Sequence, residues 1–272
     1  MGNNKEINFP NPSVAWTTLA ILFLAYISSF VDRMIISLLV EPIKADFQIS
    51  DTQISLLLGL SFAIFYCLAA LPIGRLVDIW SRKKIVTVGI TLWSVMTALC
   101  GLAQNYTQLF LARIGVGVGE ASLAPAAYSM LADSFPPKKL GLAMGVFTMG
   151  TAVGAGLALI IGGAIISFVT GENGENVSLF GIGFLSGWQW VFVLVGLPGL
   201  FIALLTSLIR EPDRIVIEEK KKLYGDISIP ISEVKKYFKK NSDFYIPHHF
   251  AVGCSNLALV GINSWVSVYF MR

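Results

Sequence analysis

The chain has 272 residues, 55% of them hydrophobic and only 14% charged, with a formal net charge of +3 and a mean hydropathy of +0.70. A soluble domain carries about 25% charge, so the composition excludes an ordinary soluble protein and points to the bilayer. The small positive charge is accounted for by membrane topology and calls for no nucleic acid. Cys67, Cys100 and Cys254 all fall in apolar runs, where small apolar fillers are expected rather than a disulfide framework or a metal site.

Residues 1–14 are polar and read as a cytoplasmic N-terminus. The apolar run that follows is too long for a signal-peptide core and is expected to stay as a signal anchor. Seven segments, near 15–40, 52–73, 84–103, 107–132, 140–168, 188–209 and 248–271, are long enough to span ~30 Å of hydrocarbon, which takes ~20 helical residues. Unbroken apolar runs of this length exclude barrel strands. With the N-terminus inside, Lys5, Arg75, Arg82, Lys83, Lys84, Lys138, Lys139 and the basic residues between 210 and 240 are cytoplasmic. Lys44 alone lies between spans on the other side. The 169–187 loop carries Glu172 and Glu175 and no basic residue. Positive-inside asymmetry therefore gives an integral multi-pass protein of an inner or plasma membrane. Asn105 and Asn176 match glycosylation sequons by chance.

Span one is interrupted by Asp32 and Arg33. A charge near the bilayer centre costs roughly 2.5–3.5 kcal/mol, so such groups face a bundle interior, pair with one another and carry ions or solute. Ser28 and Asp32 stand i, i+4, and Tyr26, Ser29 and Arg33 extend the polar stripe. The loop after span two reads Gly74-Arg-Leu-Val-Asp78-Ile-Trp-Ser-Arg82-Lys83-Lys84. Topology explains its basic residues. It does not explain Gly74, suited to a close backbone turn, or Asp78, suited to capping a helix or pairing a cation. In span four Arg113 and Glu120 lie seven apart, two turns along one face, with Gly115, Gly117 and Gly119 between them for close helix approach. These four span charges can be a fixed ion-pair network or a proton-exchanging site. Burial favours the neutral form of a carboxyl and a nearby guanidinium favours the charged form. Span five holds Gly145, Gly150, Gly154, Gly156, Gly162 and Gly163.

The six close-set spans, 15–209, form one domain. A basic linker at 210–247 follows, and 248–272 is a further helix. Within the linker Ile231, Val234 and Phe238 recur at helical spacing beside Lys235, Lys236, Lys239 and Lys240, predicting a short amphipathic helix on the inner membrane surface.

The loop residues resemble the signature G-x-L-x-D-x-x-x-R-[KR]-[KR] of the major facilitator superfamily, with Ser81 where Gly is usual. Arg113-Ile-Gly-Val-Gly-Val-Gly-Glu120-Ala-Ser122 resembles that superfamily's span-four arginine region. Its Gly-Val-Gly-Glu-Ala-Ser core, Asp32-Arg33 and the Arg-Glu-Pro after span six are similar to the Spinster-like branch. The glycines of span five resemble the antiporter motif without its Gly-Pro centre. The resemblance implies an all-α six-helix N-terminal bundle built as a 3+3 inverted repeat, plus one further transmembrane helix, with spans one and four equivalent. It implies alternating access between two such halves, so a C-terminal half is missing from these residues. It also implies proton coupling through Asp32 and Glu120 and a gating loop at Gly74, Asp78 and Arg82. Eukaryotic members of the branch move lysophospholipids or sphingolipid phosphates.

The function expected is secondary active, proton-coupled transport of an organic, amphiphilic or lipid-like solute. Asp32, Arg33, Arg113 and Glu120 would line the cavity, with no cofactor and no metal. The alternative is a seven-helix receptor or sensor, although span seven offers no lysine for a retinal Schiff base. An enzyme is not expected, since no Gly-x-Ser-x-Gly, P-loop or metal cluster is present.

Overall fold

A computed structural model of the chain describes residues 9–170, 185–215 and 230–271. It divides into two compact units, Met1–Asp213 and Arg214–Arg272. Among the described residues six helices are long and apolar enough to cross a membrane: Pro12–Leu38, Asp51–Ile79, Arg82–Cys100, Tyr106–Ser134, Pro137–Ile165 and Gly187–Leu208. All six belong to the first unit, an all-α bundle.

Helix α1 (Pro12–Leu38) starts earlier than the expected residue 15, because Pro12 suits a first helical position that needs no N–H donor. Past Leu39 the chain continues as α2 (Val40–Phe47), closed by Gln48 in the left-handed region at φ 51°. Span two is composite. α3 (Asp51–Ser55) opens with a Ser50–Gln53 capping box, runs into a π segment at Leu56–Leu60, and continues as α4 (Ser61–Ile79). α5 is Arg82–Cys100. Span four is broken into α6 (Tyr106–Glu120) and α7 (Leu123–Ser134). Pro125 explains the break: it lacks an N–H, and its ring collides with the carbonyl four residues back, at Ala121. Asn105 caps α6 through its side chain, accepting from the Gln108 N–H at 3.0 Å. Asn176 lies outside the described residues. α8 is Pro137–Thr170 and α9 is Gly187–Leu208.

The helix neighbours follow a two-fold pattern. α1 packs on α8 and α9, while α6 packs on α4 and α5. Exchanging spans one to three for spans four to six turns the first set into the second, and it leaves the α5–α9 pair unchanged. The tightest crossings are made by glycine. A Cβ on Gly119 of α6 would sit 2.7 Å from the Trp93 backbone N and 2.8 Å from the Gly89 carbonyl of α5. One on Gly196 of α9 would sit 2.8 Å from both the Ala98 N and the Ser94 O of α5. In α8, Gly150, Gly154 and Gly162 face α1, whereas Gly145, Gly156 and Gly163 have no described atom within 4 Å of a Cβ. Opposite the Arg82 end of α5, Asp46 of α2 accepts from Trp188 Nε1 at 2.8 Å and from Ser186 Oγ at 3.0 Å, tying α2 to the start of α9.

The second unit holds α10 (Ile231–Lys240) and α11 (Ser242–Met271). The final helix begins at Ser242 rather than at 248 and runs through Pro247, which falls early enough in it to disturb only the first turns.

Gly119→Ala should lower the melting temperature of the detergent-purified chain by several degrees, since overpacking costs about 1–3 kcal/mol. Gly145→Ala should leave it unchanged or raise it, helix propensity gaining up to about 1 kcal/mol. Equal losses at both positions would contradict the close α5–α6 crossing.

Candidate functional site

Two buried charged clusters stand out among the described residues. The first lies within the membrane-spanning region, where α1 meets α6. Asp32, Arg113 and Glu120 are each 1% exposed. Arg33 keeps 23% of its side chain exposed and reaches across from α1 to place Nε 2.5 Å from Glu120 Oε2. Ser29, one turn earlier on α1, donates to the same oxygen at 2.7 Å. Both α1 partners converge on Oε2, and Glu120 Oε1 has no described partner.

Arg113 does not pair with Glu120, its neighbour along α6. Its terminal nitrogen donates to the Asp32 backbone carbonyl at 3.3 Å, and its Nε has no described partner. Asp32 Oδ1 is likewise unpartnered, and among the described residues no ion pair joins the Asp32 carboxylate to either arginine. The structure thus brings Arg33 to Glu120 and Arg113 to the Asp32 backbone, leaving two buried carboxyl oxygens and one guanidinium nitrogen unsatisfied. In a low-dielectric interior such groups are costly and responsive to any ligand that can satisfy them.

Span two supplies aromatic rings that the charge pattern did not reveal. The Arg33 guanidinium lies 4.8 Å from the Phe62 ring centroid and 5.0 Å from Tyr66, with Phe30 of its own helix 5.1 Å away. Arg113 lies 5.7 Å from Phe62. Phe62 is therefore shared by both arginines, each such contact stabilising a desolvated cation by about 0.5–2 kcal/mol. Phe62 and Tyr66, one turn apart on span two, were the available signal.

The second cluster is built on Arg82, 1% exposed at the start of α5. Its guanidinium pairs with Asp133 at the end of α7 and donates to the Ser129 carbonyl at 3.3 Å and hydroxyl at 3.1 Å. It also donates to the Pro212 carbonyl at 2.5 Å and to Glu211 at 3.3 Å. The Arg82 backbone N–H and the Ser81 hydroxyl hold Glu211 at 2.8 and 2.5 Å. Ser81, in the motif's usual glycine position, is the N-cap of α5 and accepts from the Lys84 N–H.

The expected loop at Gly74–Lys84 is mostly helix. α4 runs to Ile79, so Gly74 and Asp78 sit on its last turns, Trp80 is the cap residue, and only Trp80 and Ser81 connect the helices. Gly74 makes no turn and has no described atom within 4 Å of a Cβ. The Leu76 carbonyl and Trp80 N–H close the helix instead, at 2.8 Å. Arg82 binds α7 and the Glu211-Pro212 segment that follows α9.

Burial pushes the Glu211 carboxyl up, but hydrogen bonds from Ser81 and Arg82 and the Arg82 charge outweigh it and hold the carboxyl below its ordinary value. That contribution to stability is complete above the unfolded value of about 4.3 and is lost as pH falls from there through the lower folded value. Glu211→Gln should weaken this acid sensitivity in thermal melts and cost about 1 kcal/mol at neutral pH. Arg82→Ala, which takes the guanidinium away from Asp133, Glu211 and the Pro212 carbonyl, should cost about 3–5 kcal/mol. A melting temperature unchanged by Arg82→Ala would rule out the anchor.

The sequence matches the Major Facilitator Superfamily family profile over residues 22–272. It is 31% identical over 261 residues to protein spinster homolog 1 of Xenopus tropicalis, covering 94% of this chain and 46% of that one. It is 31% identical over 198 residues to an MFS-type efflux pump of Mycolicibacterium smegmatis, covering 73% of this chain and 42% of that one. The chain spans about half the length of the curated relatives it matches. Its fold superposes on a bacterial homolog of the human lysosomal transporter Spinster, in an inward-facing and unoccupied conformation, with a TM-score of 0.80 and 31% identity over 97% of this chain and 57% of that one. The relatives named here are transporters, not enzymes. The chain belongs to the Major Facilitator Superfamily and, within it, is similar to the Spinster-like branch.

Proposed function

We propose that this bundle is the N-terminal half of a proton-coupled secondary transporter that moves an organic, amphiphilic solute by alternating access. The observation that carries the reading is the Arg33–Glu120 pair, a bridge between α1 and α6, with Glu120 Oε1 and Asp32 Oδ1 both buried and unpartnered. A guanidinium favours the carboxylate and a dry cavity favours the neutral acid, so the Arg33 distance sets which form Glu120 takes. Rocking against a second bundle changes that distance and loads or releases a proton on opposite sides. Solute and proton affinities then change each other by one shared factor. Asp32 is the second proton carrier, and Arg113 holds the α1 backbone beside it. The aromatic rings of Phe62 and Tyr66 next to two cations suit a solute with an apolar body and an anionic head.

In this reading the N-terminus is cytoplasmic, and α11 is the first helix of the opposing half. The end of α4, with Gly74 and Asp78, and the Arg82 cluster form the cytoplasmic gate. The spinster and efflux-pump relatives support transport. The receptor alternative has no counterpart among them.

The test uses a chain carrying both halves in proteoliposomes with an imposed pH gradient. A lysophospholipid is one probe and hexuronate, a solute named for a further relative, is the other. Glu120→Gln and Asp32→Asn should abolish gradient-driven accumulation while leaving solute exchange. Accumulation by both variants would show that the carboxylates are structural. Asp78→Asn should slow transport without loss of membrane insertion, and an unchanged rate would remove Asp78 from the gate.

A further inference from the structure

The second unit joins two helices of different character through Asn241 alone. On α10, at 100° per residue, Ile231, Val234, Tyr237 and Phe238 occupy one arc and Lys235, Lys236, Lys239 and Lys240 the opposite one. Glu233 at the first turn is its one acidic residue. No residue of α10 is buried, and Ile231, Tyr237 and Phe238 are about half exposed. A lone helix of ten residues with a naked apolar face is marginal in water, so something must cover that face.

The start of α11 shows the level at which it sits. The Phe238 and Tyr245 ring centroids are 5.0 Å apart, and Tyr245 hydroxyl reaches Tyr237 hydroxyl at 3.4 Å. Phe244 and His248 stack at 5.5 Å. Tyr237 and Tyr245, apolar in body and polar at the tip, are of the kind that collects where bilayer meets water. Beyond them α11 carries no Asp, Glu, Lys or Arg through Met271. Resting on the reading of α11 as a membrane span, α10 is held against the bilayer surface. Four lysines above a shallow apolar stripe complement an anionic headgroup layer.

We propose that α10 lies in the membrane plane and docks on anionic phospholipid, its apolar arc in the headgroup boundary and its lysines on the phosphates. The lipid supplies both the cover for the apolar face and the counter-charge.

The experiment uses the full chain in nanodiscs of phosphatidylcholine with or without phosphatidylglycerol. Cys67, Cys100 and Cys254 are replaced by Ala, and an environment-sensitive fluorophore is attached through Val234→Cys on α10 or, separately, Leu257→Cys on α11. The Val234 label should be protected from an aqueous quencher at least about threefold better in anionic discs than in neutral ones, with the gain lost at high salt. Replacing Lys235, Lys236, Lys239 and Lys240 by Gln should erase the difference. Equal protection in both lipids, which means cover by protein, overturns the proposal, as does no protection in either. Lipid-borne quenchers should reach the Leu257 label in both discs. If they do, a failure at Val234 is a failure of docking alone. If they do not, α11 is not a span and the docking proposal falls with it.

Discussion

A charge taken into hydrocarbon must find a partner inside the protein, and this constraint organises the bundle. Span one and span four each bring an acid and a base to mid-membrane. The fold does not pair each acid with the base on its own helix. Arg33 crosses from α1 to Glu120, and Arg113 crosses from α6 to the Asp32 backbone. Charge compensation and helix association are therefore the same event: α1 and α6 cannot separate without stranding a guanidinium and a carboxylate. Small residues let α6 pack closely on its helix neighbours. Glycine at 119 lets α6 lie against the α5 backbone, and Pro125 breaks the helix just past Glu120, so the acid sits at an α6 terminus.

The two charged clusters differ in completeness. Arg82 meets Asp133, Ser129, Glu211 and the Pro212 carbonyl, and its own N–H joins them. So many partners clamp the ends of α5, α7 and α9 into one block. The mid-membrane cluster retains unpartnered atoms on Asp32, Arg113 and Glu120. A saturated network resists rearrangement, while a partly satisfied one has several arrangements of similar energy and can be shifted by a proton or a polar solute. In the proposed reading, the Arg82 cluster is the rigid side of the cytoplasmic gate and the mid-membrane cluster is the part that switches.

Hydropathy and positive charge made six spans legible, because both follow from the bilayer and need no tertiary information. Asp32, Arg33, Arg113 and Glu120 stood out for the same reason. Which of them meet could not be read, because the contacts of α1 with α6 are made by long side chains reaching across the bundle, which sequence spacing does not encode. The π segment at Leu56–Leu60 left no trace in a uniformly apolar run. The α6–α7 break was signalled by Pro125 but hidden by the continuous hydropathy around it. Glu211 was visible only as part of an Arg-Glu-Pro turn. Its partner Arg82 lies far away in the chain, and only the folded bundle joins them. Phe62 and Tyr66 carry no charge signal in the sequence, and only the fold sets the Arg33 guanidinium alongside their stacked rings.

The direct test of the Arg33–Glu120 bridge is a double-mutant cycle of Arg33→Ala and Glu120→Gln, read as unfolding free energy in detergent. A coupled bridge predicts a double variant less damaged than the sum of the singles, by about 1–3 kcal/mol. Additivity within about 0.5 kcal/mol would show that the two side chains do not depend on each other and would contradict the bridge as the element that joins α1 to α6.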